Sequence, residues 1–425
     1  MPVPVLRLRR EVFGYTIAFA SGDVDFYSDA AGPLLLQGAT REELEACRIE
    51  KIPITENFHL SAPLIVWFEI TRACNLPCKH CYVEAGPPRH NELTTPEILT
   101  ILDQLKVKGV FALVLVGGEP MLHPNFVEIV NYAHDLGFVI SIASNGTYIT
   151  QELIDKLPRE ECIVSVSIDG IAFQKELRGK TTFEEIRDNL LMLKRNHFPA
   201  AIMTTLTSKN VDELYTVFDF AQTNDFFFGV APFSPLGRGR FFPQFQPLED
   251  VVEKAAELFI KEYLHEDDMM KDAGLCVTRF LYKSYKLSLA MRREFCGISL
   301  AYILSDGSVY PCSVCSSAEK YKAGNLREES FDSIWENSFG EIRSITFDSF
   351  KGCSTCELSS PRYFCTARCP VMSEIYTGDP LQCGSTPYLK LGLKRKTELL
   401  EEYGLKSAVS DDNPGTQENR HDHGP

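Results

Sequence analysis

No apolar run in the sequence approaches the ~20 residues that a membrane helix requires, so nothing in it predicts a membrane span. Met1 to Arg10 carries arginines but lacks the apolar segment and small-residue cleavage site of a secretory signal, and a cytoplasmic chain is expected. Positive charge is also short: 43 Lys and Arg stand against 58 Asp and Glu, a formal net charge of −15. That balance is poor for gripping a polyphosphate and excludes a general nucleic-acid binder. The chain also lacks internal repeats and coiled-coil heptads, which removes solenoids and long rods. What remains, 425 residues at 44% hydrophobic and 24% charged, has the apolar material for two or three cored domains.

Cysteine, by contrast, is plentiful, and fourteen thiols are too many for a reducing compartment to leave idle. Clustered thiols there are metal ligands before they are disulfides. Cys74, Cys78 and Cys81 stand together, and eight more fall between Cys296 and Cys383. Cys47, Cys162 and Cys276 are scattered and read as small buried hydrophobes without a role.

The chain divides by pattern. Residues 1–58 form a small unit with two short strands, Phe13 to Ala20 and Val24 to Tyr27, and a helix opening at Thr40-Arg41-Glu42-Glu43. From 62 to 240, apolar runs at 64–71, 111–117, 138–144, 162–168, 200–206 and 226–232 alternate with amphipathic stretches. That alternation predicts six βα units on a parallel sheet, with chemistry at the carboxyl ends of the strands. A helical connector spans 241–293, a cysteine-rich region 294–395 and a polar, disordered tail 407–425. The expected fold is α/β: a partial (β/α)6 barrel of TIM type with a small N-terminal hairpin-and-helix unit and a C-terminal cysteine-rich domain.

After the first barrel strand the sequence reads Arg72-Ala-Cys74-Asn-Leu-Pro-Cys78-Lys-His-Cys81-Tyr82. Three thiolates leave one iron of a four-iron cubane open for an outside ligand, whereas structural zinc takes four closed ligands in paired spacings. A zinc ion completed by His80 is the alternative, and the spacing suits it less. This loop resembles the signature of the radical S-adenosylmethionine (SAM) superfamily. Gly117-Gly118-Glu119-Pro120 ends the second strand and is similar to the superfamily's GGEP motif, and Ser144-Asn145-Gly146-Thr147 follows the third strand like its TNG element. Ser167 and Asp169 close the fourth strand at the positions that contact the ribose in family members. Four such pieces in order on successive strand ends are specific where each alone is a capping acid or a plain turn. The resemblance implies that Gly117, Gly118 and Glu119 receive the methionine ammonium of SAM. It also implies that Tyr82 packs on the adenine, unless it is core, and that Arg238 lies near the SAM carboxylate, unless it is a solvated loop arginine. The implied chemistry is one-electron reductive cleavage of SAM to a 5′-deoxyadenosyl radical that abstracts hydrogen from a substrate, with an electron donor such as flavodoxin or ferredoxin.

The later cysteines suffice for two four-thiolate sites. Tetrathiolate sites with Cys-x2-Cys pairs suit zinc as well as iron. Their arrangement around Gly324-Asn325-Leu326 and Ser333-Ile334-Trp335 resembles the SPASM domain, the auxiliary-cluster extension of radical SAM peptide-modifying enzymes. That resemblance implies two auxiliary iron-sulfur clusters of the [4Fe-4S] type. One would be held by Cys296, Cys312 and Cys369, with Cys315 to complete it, and the other by Cys353, Cys356, Cys365 and Cys383.

Ser313 stands where sulfatase maturases of this group carry an Asp, which demotes formylglycine formation. The N-terminal unit is similar to part of a PqqD-like element that captures a leader peptide on a strand edge; a capping hairpin is the alternative. The expected activity is radical oxidation of a ribosomally made peptide bearing a leader, forming a crosslink or another side-chain bond. Tetrapyrrole or other small-molecule oxidation is the enzymatic rival, and a zinc-stabilised interaction protein the non-enzymatic one.

Overall fold

A computed structural model describes residues 3–55, 58–272, 276–359, 365 and 368–404, so the tail expected at 407–425 lies outside the described residues. Strands β1 (Val5–Glu11), β2 (Gly14–Phe19) and β3 (Val24–Ser28) form an antiparallel N-terminal sheet in that order. Strands β4 (Ile65–Thr71), β5 (Ala112–Gly117), β6 (Val139–Ser144), β7 (Cys162–Ser167), β8 (Ala200–Leu206) and β9 (Phe227–Pro232) follow. They lie side by side in sequence order, all parallel, as the alternation of apolar runs and amphipathic stretches predicts.

Each strand is apolar on both faces because each face meets a different core. On β4, Val66, Phe68 and Ile70 join the layer under the flanking helices, whereas Ile65 and Trp67 pack on the other side. The helices are started by side chains: Thr94 with Glu97, and Thr182 with Glu185, close capping boxes before helices Thr95–Lys108 and Phe183–Arg195. Helix Val277–Met291 sends Phe280, Leu287 and Met291 against Ile65, Ala112 and Val139, the first residues of their strands. It therefore seals the amino end of the barrel and leaves the carboxyl end for chemistry.

Two features depart from the expected arrangement. The N-terminal unit has a third strand, β1, whose Arg9 and Glu11 form an ion pair at 2.6 Å with side chains 4% and 0% exposed. Arg9 also donates to the carbonyls of Pro63 and Gly109, and Arg7 to that of Gly137, so this sheet docks at the amino ends of the barrel strands. The cysteine-rich region, for its part, continues the sheet. Strand β10 (Leu300–Ile303) pairs parallel with β4, and β11 (Ser308–Tyr310) and β12 (Gly324–Asn325) follow antiparallel, making nine strands among the described residues. Among the scattered thiols, Cys162 is buried as expected, but Cys47 is exposed at the end of its helix.

Trp335 pins this extension to the barrel. It is wholly buried, donates from its indole to the Leu60 carbonyl at 3.2 Å, packs against Phe339 and lies under the Arg343 guanidinium at 4.4 Å. Trp335→Ala should cost about 3–5 kcal/mol of stability, read as a lower denaturant midpoint. A midpoint unchanged from wild type would show that this contact does not hold the extension.

Candidate functional site

The three clustered cysteines lie on the loop leaving β4, at the open end of the barrel. Little regular structure holds them, so the loop is fixed from outside. Arg238 donates from Nε to the Cys78 carbonyl at 2.8 Å and from Nη1 to the Ala85 carbonyl at 2.6 Å, and its amide bonds the Cys81 carbonyl. Gly237 lets this clamp close, since a Cβ there would sit 2.4 Å from the Tyr82 carbonyl oxygen. From the other side, the Leu177 carbonyl accepts the Lys79 amide at 2.8 Å. Asn75 and Asn145 join side chain to side chain at 2.9 Å, tying the loop to the end of β6.

Gly117 and Gly118 have to be glycine. Added Cβ atoms would lie 2.4 Å from the carbonyl oxygens of Thr71 and of Arg72 and Ala73, so only glycine permits this approach of two strand ends. Glu119 is fully buried beneath them. Its carboxylate accepts the Met121 amide at 3.3 Å, the Ser144 hydroxyl at 2.9 Å and the Asn145 amide at 2.7 Å. Burial pushes it up to about 7 against the pull of those donors. Ser167 is half-buried at the end of β7. Asp169 is completely buried: Oδ1 accepts the Thr205 amide at 2.7 Å, and Oδ2 lies 2.7 Å from Arg178 Nε and 3.7 Å from His80 Nε2.

Arg178 escaped the sequence reading. Its guanidinium is buried, and Asp169 beside it is the main influence raising it against the cost of that burial; its charge also acts on the Cys78 and Cys81 thiols. The local signal is slight: an Arg-Gly pair nine residues after Asp169. Burial holds the neighbouring His80 down to about 4, so it is neutral at neutral pH, with a buried Nδ1 lacking a hydrogen-bond partner among the described residues. Burial likewise pushes the Cys78 thiol up to about 11. A buried thiol in that state releases a proton when it takes metal, and Arg178 offsets the charge of the resulting thiolate. Tyr82 lies near Ser313, next to Cys312, and burial pushes its phenol up to about 12.

Cys312 and Cys315 bring their sulfurs to 3.5 Å. Burial beside one another's sulfurs holds the Cys296 and Cys315 thiols well above the usual thiol range. Cys369 lines the same small cavity as Cys296 and Cys315, so these four thiols converge. Cys353 lies near Cys356 and Cys383, and the Lys351 amide bonds the Leu381 carbonyl at 2.8 Å to bring the two segments together. The Cys365 carbonyl joins them through Arg368. An iron-sulfur cluster takes its thiolates spread around a wider volume than a single ion does. The residues present therefore fit the implied groups: a thiol trio with a buried cation beside it, a glycine cradle over a carboxylate, and two further thiol sets.

Glu119 titration gives a direct check on the cradle. A SAM ammonium needs the carboxylate form, so a group near 7 makes binding about tenfold weaker at about pH 6 than at about pH 8. Glu119→Gln should bind SAM more weakly and without that slope, as measured by anaerobic equilibrium dialysis. A wild-type affinity flat across that range would exclude Glu119 from the ammonium site.

Residues 68–221 match the sequence profile of the radical SAM superfamily, and residues 295–357 that of the SPASM iron-sulfur cluster-binding domain. Among curated proteins, the AdoMet-dependent heme synthase of Methanosarcina barkeri is 28% identical over 76% of this chain and 95% of its own length. The mycofactocin maturase MftC of Mycolicibacterium smegmatis is 29% identical over 78% of this chain and 85% of its own. Among solved structures, SuiB of Streptococcus suis, determined bound to S-adenosylmethionine, superposes with a TM-score of 0.66 at 17% identity, over 90% of this chain and 98% of that one. With the four strand-end motifs in order, residues 68–221, which carry the thiol trio, form a radical SAM domain, and residues 295–357, which carry five of the later thiols, form a SPASM domain.

Proposed function

We propose that this radical SAM enzyme oxidises a ribosomally made peptide, joining or unsaturating its side chains, and that the N-terminal sheet holds the peptide's leader. The observation that carries the reading is β1. Among the described residues it pairs with β2 on one side only, and Leu6 and Leu8, 46% and 49% exposed, stand on its outer face. An unpaired strand edge with exposed leucines is suited to adding a strand from another chain, with main-chain hydrogen bonds for affinity and leucine contacts for selection. SuiB, whose fold this chain shares over nine-tenths of its length, has also been solved with the precursor peptide SuiA. Curated relatives that act as maturases, MftC and the sporulation killing factor maturation protein SkfB, support the same substrate class.

In this reading Cys74, Cys78 and Cys81 hold a cubane with one open iron, and Gly117, Gly118, Glu119, Ser144, Asn145 and Ser167 hold SAM across the strand ends. Arg238 has one buried nitrogen, Nη2, without a hydrogen-bond partner among the described residues; it is available to the SAM carboxylate while the other nitrogens clamp the loop. When bound, cluster and SAM together supply a one-electron cleavage that yields a carbon-centred radical. The chain's part is to orient the target hydrogen and exclude water at the barrel mouth. The auxiliary clusters, saturated by Cys296, Cys312, Cys315 and Cys369 and by Cys353, Cys356, Cys365 and Cys383, leave no site for substrate and serve as electron relays or as scaffold. An external donor of the flavodoxin or ferredoxin class supplies the reducing electron, and the thiol sets call for a reducing compartment such as the cytoplasm.

A second reading, tetrapyrrole oxidation, is favoured by the heme synthase likeness. Mass spectrometry after anaerobic incubation with SAM and a reductant separates the two. The peptide reading expects a short peptide encoded beside this gene to lose hydrogen; consumption of a heme precursor with every such peptide unchanged would overturn it. Leu8→Asp should weaken precursor binding at least about tenfold, the worth of one buried leucine, and leave SAM cleavage without peptide unaltered. Precursor affinity equal to wild type would remove β1 from recognition.

A further inference from the structure

The auxiliary region contains one buried cation that the proposed clusters do not account for. Arg368 is 3% exposed, and its guanidinium lies flat over the Phe347 ring at 4.0 Å. On one side its charge acts on the Cys353 thiol, and it donates from Nη1 to the Cys365 carbonyl at 3.3 Å. On the other it lines the cavity that also holds Cys296, Cys315 and Cys369, where its charge acts on Glu294 beside Cys312. Its Nε is buried without a hydrogen-bond partner among the described residues. A guanidinium that buries its charge with a donor left over sits where it meets negative charge, and the two thiol sets bring that charge only when they carry metal. Arginine suits the place better than lysine, because its planar fork can face two partners at once and stack on an aromatic ring.

We propose that Arg368 is a shared positioning residue between the two auxiliary clusters, a single cation that favours the reduced state of both. The inference rests on the reading that both thiol sets hold iron-sulfur clusters. Adding an electron to a cluster adds negative charge, which a fixed cation nearby stabilises. One guanidinium facing both sets therefore raises both reduction potentials.

The test is an EPR-monitored redox titration of anaerobically reconstituted full-length protein, wild type, Arg368→Gln and Arg368→Lys, with iron and acid-labile sulfide measured on each. The expected result is that R368Q keeps its iron and sulfide but has both auxiliary potentials shifted down, while R368K retains both near their wild-type values. Full iron content with neither potential moved, or with only one moved, overturns the proposal. If R368Q fails to hold iron, R368K decides: wild-type potentials support the shared charge, and full iron with lowered potentials contradicts it. Loss of iron in both variants makes Arg368 a scaffold residue and also overturns it. Wild-type protein without auxiliary-cluster signals would instead defeat the cluster reading itself, an outcome visible before any variant is titrated.

Discussion

A loop that carries three thiols for one cluster has to be held still by groups that are not part of it, because it has almost no hydrogen-bond ladder of its own. Here two arginines supply that restraint from opposite sides. Arg238 bonds carbonyls at Cys78 and Ala85, while Arg178 lies buried against Asp169 and acts on the Cys78 and Cys81 thiols. The GGEP segment, the Asn75–Asn145 bond and the 173–178 helix all meet the loop within this frame. Removing Arg238 would leave the Cys78 and Ala85 carbonyls without that donor, and removing Arg178 would leave the buried Asp169 carboxylate without its charged partner, a cost larger than the loss of one surface contact.

The same economy extends across the barrel to the auxiliary region. Strand β10 lies directly beside β4, so the two cysteine systems are built on neighbouring strands. Glu69 on β4 accepts the Ser305 hydroxyl at 2.7 Å from the turn after β10, and Tyr82 lies near Ser313 beside Cys312. The thiol loop and the first auxiliary set are thus joined through side chains at the barrel mouth rather than through a flexible linker, a geometry that fixes their separation. The amino end is closed by helix Val277–Met291 and by the N-terminal sheet, which leaves the leader-binding edge proposed here outside the lumen.

The barrel was legible in the sequence because parallel strands buried on both faces read as continuous apolar runs, and the six expected strands agree with the observed ones to within a residue or so at each end. The thiol spacings and glycine pairs were legible for a different reason: their chemistry restricts residue type at short range. Strand β1 was missed because Arg7, Arg9 and Arg10 break its apolar pattern, and the carbonyls of Pro63, Gly109 and Gly137 that compensate two of them come from distant parts of the chain. Arg178 and Arg368 were illegible on the same ground, since a lone arginine has no local signal until the fold brings a carboxylate or thiol to it. Cys47 shows the opposite error: free cysteine is usually buried, but this one ends a short surface helix.

The account turns on the open coordination position of a cubane at Cys74, Cys78 and Cys81. Its most direct test is the EPR spectrum of the reduced, anaerobically reconstituted protein recorded with and without saturating SAM. The account predicts a cubane signal that changes on SAM addition and is lost when Cys78 is replaced by Ala. A SAM-insensitive spectrum, or zinc in place of iron at this loop by metal analysis, would contradict it.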